Sequence, residues 1–219
     1  MTHRTTDYDR IAEKYAIARR CHSNRHGDKS SDFISGSLVR GGITLDAGCG
    51  SGEDLPLLSA LSRELFGIDR STAMLRLAAS FPNHSATLVK GDVCALPFSD
   101  RSFDTILARF VLQYVEHPKL AYREFARTIC DGGNLILFLP HPSLGGNGAD
   151  AASPVDVQLF DGTITVTYPI RPLSDYLSPT FRQLFDISSV QDFYLDPDRS
   201  LPSAIGVLAT RRTEATFHS

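Results

Sequence analysis

The sequence predicts a three-layer α/β fold, a mostly parallel sheet covered by helices on both faces, and three observations carry that prediction. Short apolar runs alternate with helix-length runs from residue 43 to residue 139. A glycine-rich turn directly follows the first apolar run, and carboxylates follow the second and third. Parallel strands need crossovers, right-handed crossovers place helices outside the sheet, and ligands then belong at the carboxyl ends of the strands.

Taken in order, the polar first forty residues read as helical. Over residues 7–20, Ile11, Tyr15 and Ala18 fall at i, i+4 and i+7, one face of an amphipathic helix. Residues 24–31 read as a loop, and a second helix over 31–39 is stopped by Gly41-Gly42. The alternating core follows as strand 43–47, helix 53–62, strand 64–68, helix 72–81, strand 86–90, strand 103–108, helix 119–130 and strand 134–139. Beyond it, residues 155–160 and 163–168 flank Asp161-Gly162, whose pairing supplies the positive backbone angles of a hairpin turn. A helix over 173–185 and strands over 187–194 and 204–210 complete the chain.

Composition narrows the function. Hydrophobic residues make up 42% and charged residues 21%, as in ordinary globular proteins. A net charge of −3, a pI near 6.1 and scattered Lys and Arg disfavour a nucleic-acid partner, which needs a concentrated basic surface. Cys21, Cys49, Cys94 and Cys130 lack C-x-x-C spacing and read as reduced thiols, with no metal-ligand cluster. No run approaches the roughly 20 apolar residues of a membrane span. The start Met1-Thr2-His3-Arg4 lacks the apolar core of a signal peptide, so a cytoplasmic location is expected.

Leu45-Asp46-Ala47-Gly48-Cys49-Gly50-Ser51-Gly52-Glu53 leaves the first strand and opens a helix, and its alternate glycines let a ligand approach the backbone. A dinucleotide loop of pattern G-x-G-x-x-G wants glycine or alanine where Glu53 stands, because a carboxylate repels a pyrophosphate. Phe66-Gly67-Ile68-Asp69 ends the second strand with a carboxylate that can accept both ribose hydroxyls of either nucleotide cofactor. Lys90-Gly91-Asp92-Val93 places another after the third strand, where it can accept an adenine amine.

With these motifs in this order, residues 8–142 resemble class I S-adenosylmethionine-dependent methyltransferases, in the branch that includes quinone-ring and many natural-product enzymes. The resemblance implies a Rossmann-like, seven-stranded sheet with an antiparallel last strand, N-terminal helices and a small lid inserted after the fifth strand. On that reading 1–219 is one methyltransferase domain: a helical cap over 1–40, a cofactor-binding core over 41–140, a hairpin-and-helix lid over 141–186 and C-terminal strands over 187–219. Tyr8-Asp9-Arg10-Ile11-Ala12-Glu13-Lys14-Tyr15 is similar to the segment that closes over the cofactor in this branch, with Tyr15 placed for the methionine carboxylate. Asp46, Gly48, Cys49, Gly50 and Gly52 are implied for the methionine and ribose; Asp69 and Arg70 for the ribose; Gly91, Asp92 and Val93 for the adenine. Met74 either packs on the adenine or belongs to the helix core. Arg109 and Phe110 are implied below the sulfonium. The branch usually has a small or polar residue at 109, so Arg109 either pairs with a carboxylate, of cofactor or substrate, or turns to the surface.

The implied activity is in-line methyl transfer to an oxygen, nitrogen or carbon of a small molecule, in which alignment and water exclusion do most of the work. His141, in Leu139-Pro140-His141-Pro142, is the candidate base where the acceptor must lose a proton, and otherwise a loop histidine; His117 reads as a helix cap. Tyr8, Tyr114, Phe160, Tyr168 and Tyr176 are candidate acceptor contacts. A monomer or homodimer with no metal, nucleic acid or membrane is expected. The alternatives are a protein that binds the same cofactor for another purpose, such as a pericyclic step, and a nicotinamide-dependent dehydrogenase.

Overall fold

The computed structural model describes residues 7–23, 29–145, 154–159, 164–194 and 202–213. Helices α1 (Tyr8–Ser23) and α2 (Lys29–Ser37) precede β1 (Ile43–Ala47), α3 (Leu55–Leu61), β2 (Glu64–Asp69), α4 (Thr72–Ala79) and β3 (Thr87–Lys90). Then come β4 (Phe103–Arg109), a 3-10 turn over Leu112–Tyr114, α5 (Pro118–Thr128) and β5 (Ile129–Pro140). The chain continues with β6 (Pro154–Leu159), β7 (Ile164–Pro169), α6 (Leu173–Tyr176), α7 (Pro179–Leu184), β8 (Phe185–Phe193) and β9 (Ala204–Arg211).

Seven strands form one sheet in the order β3-β2-β1-β4-β5-β9-β8. The first five pair in parallel, and β9 runs antiparallel to both β5 and β8, so the last strand alone is reversed, as expected. Alternation along the central strands sorts side chains to two buried faces. Ile106 and Ala108 of β4 and Leu135, Leu137 and Leu139 of β5 pack with Tyr122 and Phe125 of α5. Leu107, Ile136 and Phe138 face the other way, toward Ile34 of α2 and Leu55 and Leu58 of α3.

Two elements depart from the sequence reading. The helix expected over 173–185 is two short helices, α6 and α7. Ser178 accepts the Phe181 N–H at the N-terminus of α7, and Pro179 occupies its first turn, so the pair starts a helix rather than continuing one. Both helices belong to the core: Tyr176 and Phe181 are buried, Phe181 packs on Tyr122 with ring centroids 5.1 Å apart, and α7 is therefore no lid. Asp131-Gly132-Gly133, which fall between the expected helix over 119–130 and strand over 134–139, lie inside β5, which starts at Ile129 and carries a register shift against β4 there. The β6–β7 hairpin is present and forms its own two-stranded sheet; its turn at Asp161-Gly162 and Phe160 lie outside the described residues. Its second strand packs on α1, where Ile164, Val166 and Tyr168 meet Ile11, Tyr15 and Tyr114.

Candidate functional site

Beyond the carboxyl ends of β1, β2, β3 and β4 lies a cleft of about 370 Å³. Its floor is the turn after β1. Gly48 N–H and Cys49 N–H both donate to Ile68 O, at 2.8 and 3.0 Å, which folds this turn back against β2. Gly48 and Gly50 have φ of +80° and +54°, conformations that favour glycine. A side chain at Gly50 would meet no protein atom within 4 Å, so the backbone there stands open to the cleft it lines. Gly52 does not line the cleft; its backbone packs closely on Ala78 of α4.

Asp69, at the end of β2, accepts Gly50 N–H at 3.0 Å through one oxygen and Ser71 N–H at 2.8 Å through the other. Burial raises its pKa, and these two backbone bonds only partly oppose that. Asp92, after β3, lines the cleft and accepts Cys94 N–H. Arg70, Met74, Gly91, Val93, Cys49, Tyr8, Tyr15, Tyr114, Arg109 and Phe110 also line it. Met74 is both buried in the α4 core and exposed to the cleft wall, so its two sequence readings are compatible. Asp46 lies beneath the floor: it is 2% exposed, and Oδ2 has no hydrogen-bond partner among the described residues. Burial, reinforced by Asp54, holds its carboxyl well above the ordinary range.

Arg109 finds its carboxylate within the chain. Its guanidinium donates to Asp54 Oδ1 at 2.6 Å and to Ser30 Oγ at 2.9 Å, and lies 5.3 Å from the centre of the Phe138 ring. The pair ties the end of β4 to the N-termini of α2 and α3, so its charge needs neither a ligand nor the surface. The sequence reading missed Asp54 because it lies in no motif. It also missed Asp9, whose Oδ1 accepts Ser71 Oγ–H at 2.6 Å and Ala73 N–H at 3.0 Å.

The cleft lining carries Asp7, Asp9, Glu53, Asp54, Asp69 and Asp92 against Arg70 and Arg109, an excess of negative charge that opposes a pyrophosphate and suits a cationic ligand. The far end is walled by Tyr8, Tyr15, Phe110, Val111, Tyr114 and Val115. There the hydroxyls of Tyr8 and Tyr114 bond each other across 106 residues of sequence, and burial raises both phenol pKa values well above the usual 10.

His141, Tyr168 and Tyr176 are not among the residues lining the cleft. His141 Nδ1 pairs with Ser143 Oγ at 2.9 Å, and Nε2 lies 3.9 Å from Asp192, so its ring is engaged at the β5–β8 side of the sheet. That placement gives no support to a base role. Tyr168 is buried against Tyr114 as a second layer behind the wall, and Tyr176 is a core residue. His117 holds the N-cap position of α5, but its side chain makes no capping bond. No group of three metal-ligating side chains occurs among the described residues. No helix among them is long and apolar enough to cross a membrane.

The mostly parallel sheet with its reversed last strand, and the acidic cleft at the glycine-rich turn, place the chain in the Rossmann-like class of α/β folds. Residues 45–137 match the sequence profile of a methyltransferase domain family. The chain is 32% identical over 135 residues to a protein of Encephalitozoon cuniculi named as a methyltransferase, across 60% of this chain and 59% of that one. It is 28% identical over 141 residues to a demethylmenaquinone methyltransferase of Renibacterium salmoninarum, across 63% and 59%. The chain thus spans about three-fifths of the length of these relatives. Among solved structures it superposes on an S-adenosylmethionine-dependent methyltransferase from Mesorhizobium loti with a TM-score of 0.63 and 22% identity, covering 79% of this chain and 92% of that one. Residues 45–137 are thus similar to a methyltransferase domain, and the fold is the one seen in the Mesorhizobium loti structure.

Proposed function

We propose that the protein transfers the methyl group of S-adenosylmethionine to a small-molecule acceptor. The observation that carries the reading is the alignment of Gly50, Asp69 and Asp92 on one wall of an acidic cleft whose other end is aromatic. Asp69 has lone pairs left for the ribose hydroxyls, Asp92 for the adenine amine, and the open backbone at Gly50 admits the ligand closely. The excess carboxylates fit the ammonium and sulfonium. When bound, S-adenosylmethionine supplies a methyl group on a positively charged sulfur, which leaves with its electron pair on sulfur.

The chain's own residues orient and exclude. Phe110, Val111 and Val115 wall the aromatic end away from water, and the Tyr8–Tyr114 pair offers hydroxyls that stay protonated at neutral pH. Those phenols can hold an acceptor by hydrogen bonds but do not remove its proton. Among the described residues that line the cleft there is no histidine or lysine, which favours a reading in which alignment does most of the work on an acceptor whose lone pair is already free. The acidic charge balance argues for a small acceptor over a polyanion.

The test incubates the protein with methyl-labelled S-adenosylmethionine and three fractions of a cell extract: small-metabolite ultrafiltrate, nucleic acid and protein. Label entering the ultrafiltrate supports the reading; label entering nucleic acid or protein alone overturns the choice of acceptor.

A further inference from the structure

Asp9 stands in the first turn of α1 at the rim of the cleft, exposed to solvent. Its carboxylate reaches α4, taking the Ser71 hydroxyl at 2.6 Å and the Ala73 amide at 3.0 Å. It thereby joins Ser71, which accepts Met74 N–H, in capping that helix, whose N-terminal amides favour a carboxylate. Ser71 in turn donates its own amide to Asp69, so the contact sits next to the ribose carboxylate. The preceding residue, Tyr8, reaches the opposite rim and bonds Tyr114. Two adjacent residues of one helix therefore fasten it to both edges of the cleft.

We propose that Asp9 is a positioning residue: its carboxylate latches α1 across the cleft, holding Tyr8 against Tyr114, and a bound adenosyl ligand exchanges when the latch opens. The proposal rests on the cofactor reading above. The latch is strong enough to matter and weak enough to open, because charge-assisted bonds exposed to solvent compete with water. Ser71 Oγ–H and Ala73 N–H hold the Asp9 carboxyl below its ordinary pKa, so it is ionised throughout the neutral range.

Arg10 and Lys14 are exposed on the same helix and give a readout independent of the ligand. Trypsin needs locally unfolded backbone, so its rate of cutting there reports how often α1 lifts. The experiment compares the full chain with Asp9→Ala and Asp9→Asn, measuring cleavage after Arg10 and Lys14 in ligand-free protein and release of tritiated S-adenosylhomocysteine on chase. Loss of the carboxylate is expected to speed both about fivefold or more, with Asp9→Asn between, a size typical of a lost helix cap. The thermal midpoint of the core should stay within about 2 °C. Cleavage and release rates unchanged within about twofold would overturn the latch. Should the wild type fail to retain S-adenosylhomocysteine, the cofactor reading fails, and the ligand-free cleavage rates still decide the latch.

Discussion

The carboxylate of Asp69 is buried enough that its ionised form is disfavoured, and the amides of Gly50 and Ser71 compensate only in part. A group held this way costs the empty protein stability at neutral pH and keeps its charge available for ligand hydroxyls. Asp69→Asn should therefore weaken S-adenosylhomocysteine binding roughly tenfold or more, with a smaller fall in the thermal midpoint of the empty protein, because relief of the buried charge offsets part of the cost of the one backbone amide left without an acceptor. The pH dependence has a definite sign. With its folded pKa raised, Asp69 protonates before an unfolded carboxyl does as pH falls, so the empty fold gains relative stability in that window and loses it as pH rises. Ligand affinity moves oppositely, falling at a pH above the ordinary carboxylate value near 4. Calorimetric titrations across that window should show affinity declining before the fold unfolds. Arg109 makes a second point at this scale. Its departure from the family pattern was visible in the sequence; its partner was not, because 55 residues separate it from Asp54 and only the fold brings them to 2.6 Å. Asp54→Ala would remove the carboxylate paired with a guanidinium whose side chain is 6% exposed, so urea denaturation should show a loss of about 3 kcal/mol.

Elements were legible where local chemistry is unambiguous. The strand over 43–47 and the start of α4 at Thr72 follow from a polar–apolar pattern bounded by glycines and a serine cap, and the structure reproduces them. Legibility failed where a local signal served a different tertiary purpose. Asp131-Gly132-Gly133 has turn chemistry, yet it forms an irregularity within β5, between Ile129 and Asn134, which pair with β4 on either side of it. Ser178 and Pro179 start a new helix, so the run read as one helix over 173–185 is two short ones. The hairpin was predicted as part of a lid, and its packing on α1 came only from the structure. That α7 is a core element has a direct test: Phe181, fully buried between Tyr122 and Phe185, should cost about 3–5 kcal/mol of stability on replacement by alanine. S-adenosylhomocysteine affinity of the folded variant should be unchanged, since Phe181 lies outside the cleft.

For the molecule as a whole, alternation of strand and helix sufficed to predict the layered fold, because a parallel sheet buried on both faces leaves few ways to arrange its crossovers. The convergence of Gly50, Asp69 and Asp92 on one cleft was likewise readable, since turns after consecutive parallel strands meet at one edge. Of the candidate acceptor contacts, Tyr8 and Tyr114 do line the cleft, but that they meet there, from α1 and the segment after β4, is a property of the folded chain alone. The central claim is that this edge holds an adenosyl sulfonium rather than a dinucleotide, and calorimetric titration of the purified protein with S-adenosylmethionine, S-adenosylhomocysteine and NAD tests it most directly. Saturable binding of the two adenosyl ligands, with none of NAD, is the predicted result; binding of NAD without the adenosyl ligands would contradict it.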